Sequence, residues 1–421
     1  MDLQEEVRSI ALDAQAASRP LGLTTTQQRN DALAAMAQAL RENASTIVAA
    51  NAADMEAARE KGTKESLLDR LLLTPERLED MASALEDLIA LPDPLGEVQQ
   101  QRTLYNGLQL RRVSVPLGVV AVVYEARPNV TADAAGICLK SGNAAVLRGG
   151  SLAARSCAAI SRVLAQAAEG AGMPKNCICS ITSTDRAATD ALMQLHGVVD
   201  VLIPRGGAGL IKHCVESSKV PVIETGTGNC HVYVHESADL GMAHDIIMNA
   251  KCRRYGVCNA AETLLVDAAV SEAFLPRVMK DMAAKGVVLH ACERAAACAP
   301  ADVACVSATK YDWETEYLGP ELAIRVVDGV QQAIDHVNRY GTKHSEAIVA
   351  SDAAAANAFQ AQVDASAVYV NASTAFTDGG QFGLGAEIGI STQKLHARGP
   401  FALQALTSYK YLINGEGQVR D

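Results

Sequence analysis

The feature that most constrains the fold is a regular alternation of apolar runs with helical patterns, which begins near Val115. The apolar runs are four to seven residues long, which is typical of parallel strands buried on both faces of a sheet. They lie at Gly118–Tyr124, Ala144–Leu147, Ile178–Ile181, Val198–Ile203 and Val220–Ile223, with helices predicted at Thr131–Lys140, Ser151–Glu169, Asp185–Leu195 and Gly209–Ser218. This order predicts βαβ units wound into a parallel sheet.

A second alternating series follows and predicts a second α/β domain. Its strands are predicted at Thr263–Val266, Val287–His290, Ala323–Val327, Glu346–Ala350 and Val368–Asn371, and its helices at Ala268–Lys285, Val330–Asn338 and Ala353–Gln362. The two series meet near Glu224–His235. Ahead of both lie about ninety residues rich in Ala and Leu with helical periodicity. The fold class is therefore α/β, with two parallel-sheet domains.

A small hairpin is predicted between the helical start and the first alternating series. Gln101–Tyr105 and Leu108–Val115 flank the pair Asn106-Gly107, which suits the positive φ angles of a type I′ turn. Near the end of the chain, Ser408–Ile413 also reads as a strand and could pair with this hairpin or with another subunit. We expect a β flap of this kind to support a homo-oligomer, because exposed strand edges seldom stay bare.

Composition excludes several classes of partner. The hydrophobic share of 49% and the charged share of 20% are those of a globular protein. A net charge of −11 argues against binding to nucleic acid or to an anionic membrane. Aromatic residues make up only 4% of the chain, which is too few for a base-stacking surface.

Targeting and metal signals are also missing from the sequence. The first residues, MDLQEEVRSI, carry acids where a signal peptide needs a basic start. No stretch approaches the roughly 18 apolar residues that a membrane-spanning helix requires. We therefore expect a cytoplasmic protein. None of the eleven cysteines is spaced as CxxC, the nearest pair being Cys177 and Cys179, so we expect no metal site.

Cys258 is the cysteine whose surroundings favour chemistry. It lies in a predicted loop between a helix and a strand, where catalytic groups are often mounted. Lys251, Arg253 and Arg254 are near it in sequence and would favour the reactive thiolate. Cys252 shares these neighbours and is the rival nucleophile. The other cysteines fit core positions as small hydrophobic residues.

Two further segments lie at predicted strand ends, where open α/β sheets bind ligands. Glu224 closes the apolar run Val220–Ile223 and precedes a glycine-rich stretch; the alternative reading is a solvated strand end. Arg205–Gly209 follows another strand and opens a helix, so its backbone N–H groups could hold a phosphate, or it could be a plain turn.

Taken together, these motifs resemble the aldehyde dehydrogenase superfamily and, within it, the γ-glutamyl phosphate reductase family. The superfamily pairs a strand-end Glu with a nucleophilic Cys, and here Glu224 and Cys258 are 34 positions apart. A superfamily motif whose Glu holds the nicotinamide ribose is matched by Glu316–Pro320. The stretches that resemble the reductases specifically are Tyr124–Thr131, Glu224–His231 and Tyr340–Ile348.

The resemblance implies a role for each matched residue. Cys258 would be the nucleophile, and the position of the usual oxyanion-hole Asn falls near Glu125, which makes Asn129 the candidate for that role. The implied cofactor contacts are Arg148, Gly206, Gly207 and Glu316, and the implied cations for the substrate's phosphate and α-carboxylate are Arg127, Arg254 and His344, with Lys251 and Lys343 as further candidates.

The implied reaction is the NADPH-dependent reduction of L-glutamyl 5-phosphate to L-glutamate 5-semialdehyde and phosphate, through a Cys258 thioester. This is the second step of proline biosynthesis from glutamate, and transient contact with the upstream glutamate kinase is implied. The resemblance places an NADP(H)-binding domain at residues 1–227 with the flap at 98–115, a catalytic domain at 228–371, and a return to the first domain with an oligomerisation strand at 372–421.

Three alternatives remain open at this point. The first is a hydrolytic aldehyde dehydrogenase that produces a carboxylate. The second is a cysteine acyltransferase without a redox cofactor, and the third is a non-catalytic α/β protein in which Cys258 is inert. For the reductase, water attack would waste an energy-rich acyl group, so we expect Glu224 to handle the thiol proton or to turn away.

Overall fold

The structure is a computed structural model that describes residues 2–420, apart from the side chain of Ser66. Its helices are, in chain order, α1 (Leu3–Leu21), α2 (Thr26–Glu42), α3 (Ala44–Glu60), α4 (Glu65–Leu71), α5 (Pro75–Ala90), α6 (Asn129–Lys140), α7 (Ala154–Gly170), α8 (Arg186–Met193), α9 (Ala208–Ser217), α10 (Leu240–Cys252), α11 (Ala268–Ala284), α12 (Glu293–Ala296), α13 (Lys310–Glu314), α14 (Val330–Tyr340) and α15 (Ala353–Gln362).

The strands follow the same numbering. They are β1 (Val98–Thr103), β2 (Gln109–Pro116), β3 (Val119–Tyr124), β4 (Ala144–Gly149), β5 (Ile178–Ser180), β6 (Val201–Arg205), β7 (Cys230–Val234), β8 (Ala261–Asp267), β9 (Val288–Ala291), β10 (Cys305–Ser307), β11 (Glu321–Val327), β12 (Ser345–Val349), β13 (Ala367–Val370), β14 (Gly389–Ser391), β15 (Gly399–Phe401) and β16 (Thr407–Asn414).

The chain divides into two compact units. Unit 1 consists of Met1–Thr225, Gly383–Gly389 and Phe401–Asp421, and unit 2 of Gly226–Phe382 and Ile390–Pro400. The cofactor and catalytic roles expected for the two domains, and their boundaries at residues 227 and 371, stay predictions.

Unit 1 contains a four-stranded parallel sheet in the order β5-β4-β3-β6. Every residue of β3 is buried, because helices cover both faces of a parallel sheet. One face packs against α1 and α8, through residues such as Val7 and Leu192. Strands β3 and β6 lead directly into Glu125 and Gly206, and Arg148 is the penultimate residue of β4. All three lie at the edge where such sheets bind ligands.

One predicted strand of unit 1 is wrong. Val220–Ile223 forms only a single bridge, in which Val222 lies opposite Leu202. Leu202 donates to the Pro221 carbonyl at 2.8 Å and accepts from Ile223 at 3.0 Å. Pro221 itself has no N–H to extend the ladder, so the apolar run remains a one-residue contact rather than a fifth strand.

The predicted flap is present as a three-stranded antiparallel sheet in the order β1-β2-β16. The last strand pairs with β2, from Ser408 opposite Val115 to Ile413 opposite Leu110, so pairing within the chain is confirmed. The type I′ prediction is wrong, because only Gly107 of the Asn-Gly pair has a positive φ, at 83°. Gly107 donates to the Leu104 carbonyl, and the turn is a type I turn followed by a left-handed glycine.

Unit 2 contains a seven-stranded parallel sheet in the order β10-β9-β11-β8-β7-β12-β13. The strands at its centre, β7, β8 and β12, are buried along their whole length. The edge strand β10 was missed because three half-buried or exposed residues show no apolar run. The two parallel sheets and the flap confirm the predicted α/β architecture, and the loop of Cys258 lies between α10 and β8 as predicted.

Candidate active site

Cys258 occupies a tight turn in unit 2. Ala260 donates its N–H to the Val257 carbonyl at 3.1 Å, so Cys258 and Asn259 are the two central residues of a four-residue turn. Cys258 is half-buried, which leaves part of the residue accessible. The Asn259 side chain is buried and donates to the carbonyls of Ala375 and Thr377 at 3.3 and 3.0 Å. The hydrogen bonds of the Asn259 side chain therefore fix the second central residue of the turn.

Gly228 lies directly against the backbone of Cys258. A Cβ atom built on Gly228 would come within 1.5 Å of the Cys258 carbonyl oxygen, so only glycine permits this approach. The N–H of Gly228 donates to Glu316 Oε1 at 2.7 Å. The predicted nucleophile and the predicted ribose-binding carboxylate thus contact the same glycine.

Cys230 and His344 lie behind Cys258, and both are fully buried. Cys230 Sγ donates to the Cys258 carbonyl oxygen at 3.2 Å and lies 3.7 Å from His344 Nδ1. Burial raises the pKa of the Cys230 thiol well above its ordinary value, so the proton needed for this hydrogen bond is retained. Burial lowers the pKa of His344 to about 4, so the imidazole is neutral near pH 7.

Cys252, the rival nucleophile, is the last residue of α10 and directs its thiol to Met282, with Sγ and Sδ 3.4 Å apart. Burial raises the pKa of this thiol, which disfavours the reactive thiolate. Lys251 does not supply a free positive charge, because its ammonium is fully buried in an ion pair with Glu262. Arg253 and Arg254 are exposed on the loop.

The Lys251–Glu262 pair fixes the segment that carries Glu316. Glu262 Oε1 accepts the N–H of Leu318 at 3.2 Å, and Leu318 has a left-handed φ of 53°. Tyr317 donates to Asp312 Oδ1 at 2.9 Å. Burial raises the pKa of Glu262 to about 7, and the Lys251 ammonium opposes that shift. Buried polar groups therefore hold the loop that follows Glu316: Glu262 bonds to Leu318, and Asp312 bonds to Tyr317.

The cofactor residues predicted in unit 1 are bonded within the chain. Arg148 is buried, and its Nη2 donates to the carbonyls of Thr184 and Asp185 at 3.3 and 3.1 Å. Burial lowers the pKa of this guanidinium. Gly206 and Gly207 are exposed after β6, but the N–H of Gly207 donates to Glu125 Oε2 at 2.8 Å. The Glu125 carboxylate thus occupies the Gly207 N–H, which was predicted to bind a phosphate of the cofactor.

Asn129, the oxyanion candidate, begins α6 and is exposed. Its Nδ2 donates to Asp133 Oδ2 at 3.1 Å. Burial raises the pKa of Asp133 to about 6, while the Asn129 hydrogen bond and the Arg205 charge lower it and Glu387 raises it. Asp133 and Glu125 were both missed as site residues. The contact of Glu125 with Gly207 arises only when the strands are assembled, whereas Asn129 and Asp133 are four residues apart in α6 and helical spacing could have paired them.

The remaining predicted residues fall on both units. Glu224 and Arg127 belong to unit 1 and are half-buried, so their action on Cys258 stays a prediction. Lys343 in unit 2 is exposed and pairs with Asp364 at 3.4 Å. His344 is enclosed behind Cys258, and a substrate-binding role for it stays a prediction. Within unit 2, the segment from Gly228 to Cys230 brings Cys258, Glu316 and His344 together.

The described residues lack two features. Within residues 2–420, no group of three or more His, Cys, Asp or Glu side chains is arranged to hold a metal ion. In the same part of the chain, no helix combines the length and the apolar character needed to cross a membrane.

Comparison with known proteins identifies the family. A model of the aldehyde dehydrogenase family matches residues 2–300 and 284–410. The γ-glutamyl phosphate reductase of Moorella thermoacetica (strain ATCC 39073 / JCM 9320) is 56% identical over 421 residues, covering 100% of both chains. That of Thermobifida fusca (strain YX) is 51% identical over 419 residues, again covering 100% of both chains.

The fold agrees with the sequence comparison. The crystal structure of γ-glutamyl phosphate reductase from Thermotoga maritima superposes with a TM-score of 0.96 at 45% identity, covering 99% of this chain and 100% of that chain. The aldehyde dehydrogenase-like fold and the resemblance predicted from the motifs are confirmed. The chain therefore belongs to the aldehyde dehydrogenase family of oxidoreductases and, within it, to the γ-glutamyl phosphate reductases.

Proposed function

We propose that the chain reduces L-glutamyl 5-phosphate to L-glutamate 5-semialdehyde and phosphate with NADPH, as the second step of proline biosynthesis from glutamate. Full-length identity of 50% or more to γ-glutamyl phosphate reductases supports this substrate. The main observation that supports the mechanism is the half-buried turn of Cys258. Its backbone packs directly against Gly228, and the N–H of Gly228 donates to the Glu316 carboxylate.

In the first step the Cys258 thiolate attacks the acyl carbon, the bond from that carbon to the phosphate oxygen breaks, and a thioester forms. Bound NADPH would supply a hydride to the same carbon. The carbon–sulfur bond then breaks, Cys258 leaves as a thiolate, and the aldehyde is released. Fixed N–H donors beside the thiol would stabilise the tetrahedral oxyanion in both steps, and Asn129 is proposed as a side-chain donor.

Unit 1 offers groups that fit the cofactor. A cavity of about 260 Å³ lies at the carboxyl ends of β4 and β5, and Ser151, Thr184, Lys61 and Arg155 are among its lining residues. Asp54 also lines it and pairs with Arg155 at 3.7 Å. The two cations would match the 2′-phosphate that distinguishes NADPH from NADH. The exposed amides of Gly206 and Gly207 would bind the pyrophosphate, and Arg148 would bind the adenine-side ribose. Glu316, which belongs to unit 2, is proposed to bind the nicotinamide ribose.

The substrate's phosphate and α-carboxylate require cations, for which Arg127 and Arg254 are proposed. Glu224 is proposed to accept the proton of the Cys258 thiol rather than to activate water. Comparison of Glu224→Gln with the parent tests this role. A variant that keeps the full reductase rate and the full rate of Cys258 alkylation, and loses only side hydrolysis, would show that Glu224 does not transfer the thiol proton.

The flap is proposed to join subunits of a homo-oligomer. Tyr409, Tyr411 and Ile413 alternate along β16 and each is about half exposed, at 50, 50 and 52%. Strand edges with apolar side chains of this kind favour pairing. Cytoplasmic action and transient contact with the upstream kinase belong to the same proposal.

The decisive experiment is an NADP⁺-reduction assay with glutamate 5-semialdehyde, with and without phosphate, on the parent and on Cys258→Ser. The parent should require phosphate or arsenate, because the thioester is released by phosphate rather than by water. The Ser variant should lose roughly 1,000-fold or more in kcat, because a hydroxyl is a far weaker nucleophile than a thiolate. Phosphate-independent turnover would favour a hydrolytic dehydrogenase, and an active Ser variant would move the nucleophile elsewhere.

A further inference from the structure

Cys230 is a fully buried thiol that contacts the backbone of Cys258 and takes no part in the proposed reaction. Its Sγ lies 3.2 Å from the Cys258 carbonyl oxygen, and its proton is available for donation. The contact is made to the backbone of the nucleophile rather than to its side chain. Its effect is therefore on the geometry of the turn.

The turn of Cys258 and Asn259 could adopt either of two backbone conformations. The peptide between the two central residues of a tight turn can flip, which interconverts type I and type II geometry. The flipped form needs a left-handed φ at the second central residue, and Asn259 is a residue type that tolerates it. The residues of the turn therefore do not fix the orientation of the peptide between Cys258 and Asn259 by themselves.

We propose that Cys230 is a positioning residue that, supported by His344, locks this peptide and keeps Cys258 in one reactive orientation. The inference rests on the proposed function, in which Cys258 is the nucleophile. In a trans peptide the C=O and N–H point in opposite directions, so a carbonyl directed at Cys230 directs the Asn259 N–H away from it. The flipped peptide would put its carbonyl oxygen where the Asn259 N–H had been, and would remove that N–H from the donors beside the thiol that the proposed mechanism uses for the oxyanion.

A chain of hydrogen bonds leads from His344, beside Cys230, back to the turn of Cys258 and Asn259. His344 Nδ1 lies 2.8 Å from Ser345 Oγ, which in turn donates to Thr377 Oγ1 at 2.6 Å. The carbonyl of Thr377 accepts the Asn259 side chain at 3.0 Å. His344, Ser345 and Thr377 are fully buried. One continuous polar chain in the interior therefore holds both ends of the flippable peptide.

The test compares three single variants of the full-length protein. Cys230→Ala removes the donor, Cys230→Ser retains an O–H donor at the same place, and Cys177→Ala removes another buried thiol, from unit 1, as the matched control. Two rates are measured: kcat with glutamate 5-semialdehyde, NADP⁺ and phosphate, and the alkylation of Cys258 by iodoacetamide, followed by peptide mass. Far-UV circular dichroism verifies that each variant is folded.

Cys230→Ala should lose about five- to tenfold in both kcat and the alkylation rate, the effect of one hydrogen bond, with KM changed less than about twofold. Cys230→Ser should recover most of that loss, and Cys177→Ala should match the parent. Equal rates for Cys230→Ala and Cys177→Ala would overturn the proposal. A Ser variant as slow as the Ala variant would also overturn it, because packing rather than donation would then be responsible.

His344→Gln provides an independent variant, and it should lower the alkylation rate in the same direction as Cys230→Ala. An unchanged alkylation rate in this folded variant would contradict the support assigned to His344. Failure of the proposed function has a different signature. In that case Cys258→Ser keeps its activity, or Cys258 reacts no faster than the other thiols of the parent.

Discussion

The two candidate sites of the chain are built in opposite ways. Around Cys258 in unit 2, the supporting groups are buried, and each contacts another buried group or the protein backbone. At the carboxyl ends of the unit 1 strands, the predicted phosphate-binding amides are exposed, and Gly207 is bonded to a side chain of the same unit. The proposed nucleophile is thus held in place by the protein alone. A cofactor bound as proposed would have to replace the hydrogen bond between Gly207 and Glu125 with contacts of its own.

The largest effect should come from breaking the close backbone approach in unit 2. Gly228→Ala places a Cβ 1.5 Å from the Cys258 carbonyl oxygen, and only backbone can yield. A displacement of about 1 Å at a reacting group can lower kcat by roughly 100-fold, which is the expected loss. Gly170→Ala is the control, because a Cβ there meets nothing within 4 Å. Equal kcat values for the two variants would contradict the assigned role of Gly228.

The buried ion pair beneath the Glu316 loop should give the next effect. Lys251→Met leaves the Glu262 carboxyl buried without its partner, either as an uncompensated charge or after taking up a proton, and the free energy of unfolding should fall by about 3 kcal/mol. Urea titration measures it. Lys212→Met breaks an exposed pair with Glu216 and should cost less than about 1 kcal/mol. Adding Glu262→Leu to Lys251→Met should restore much of the loss; a double variant less stable than the single one would argue against an uncompensated charge.

In unit 1, removing the carboxylate from the predicted phosphate turn should strengthen cofactor binding. Glu125→Gln removes a negative charge that contacts Gly207 at 2.8 Å and would repel a pyrophosphate. The dissociation constant of NADPH, measured by fluorescence titration, should fall roughly fivefold, or about 1 kcal/mol. Glu169→Gln is the matched control, because Glu169 also accepts a backbone N–H, from Asn176. Weaker binding by Glu125→Gln would mean that Glu125 supports the cofactor instead.

The smallest effect concerns the pH dependence of unit 1. The pKa of Asp133 is about 6 in the folded chain, above its ordinary value of 3.8, chiefly because of burial. The folded state therefore binds more protons between pH 4 and 6, and stability falls as pH rises through that window. Asp133→Asn should remove this slope and gain on the order of 1 kcal/mol over the parent by pH 7.

Thermal unfolding at pH 4.5 and pH 7 measures the gain, with Asp245→Asn as the control. The Asp245 side chain is 86% exposed, so its replacement should leave the pH dependence as it is in the parent. A parent and an Asp133→Asn variant with parallel pH profiles would show that Asp133 carries no raised pKa.

The sequence predicts the sheets well, because parallel strands buried on both faces leave continuous apolar runs, as in β3 and β8. It fails at Val220–Ile223, where proline removes a donor from an otherwise apolar run. It predicts the loop position of Cys258, since the helix and the strand on either side are regular. The sequence does not predict contacts between the ends of distant strands. Glu125 and Gly207, for example, are 82 positions apart, and no local pattern pairs them.

The contact of Cys230 with Cys258 in the core is likewise not predictable from the sequence. Its sequence neighbours suggest an ordinary buried hydrophobic residue, and the pleat of β7 alone gives no sign of a contact with Cys258. The hydrogen bond arises because β7 and β8 are adjacent in the sheet and the turn of Cys258 immediately precedes β8. Such a role depends on strand order, which the spacing of apolar residues does not specify.

The division of the chain has a consequence for its synthesis on the ribosome. Most of unit 2 is one uninterrupted segment, whereas unit 1 needs Gly383–Gly389 and Phe401–Asp421, which follow that segment in the chain. The flap strand β2 must wait for its partner β16, which is synthesised only after all residues of unit 2. Nascent chains therefore expose the open edge of β2 until β16 has emerged, and this interval is when unwanted strand pairing between neighbouring chains is most favoured.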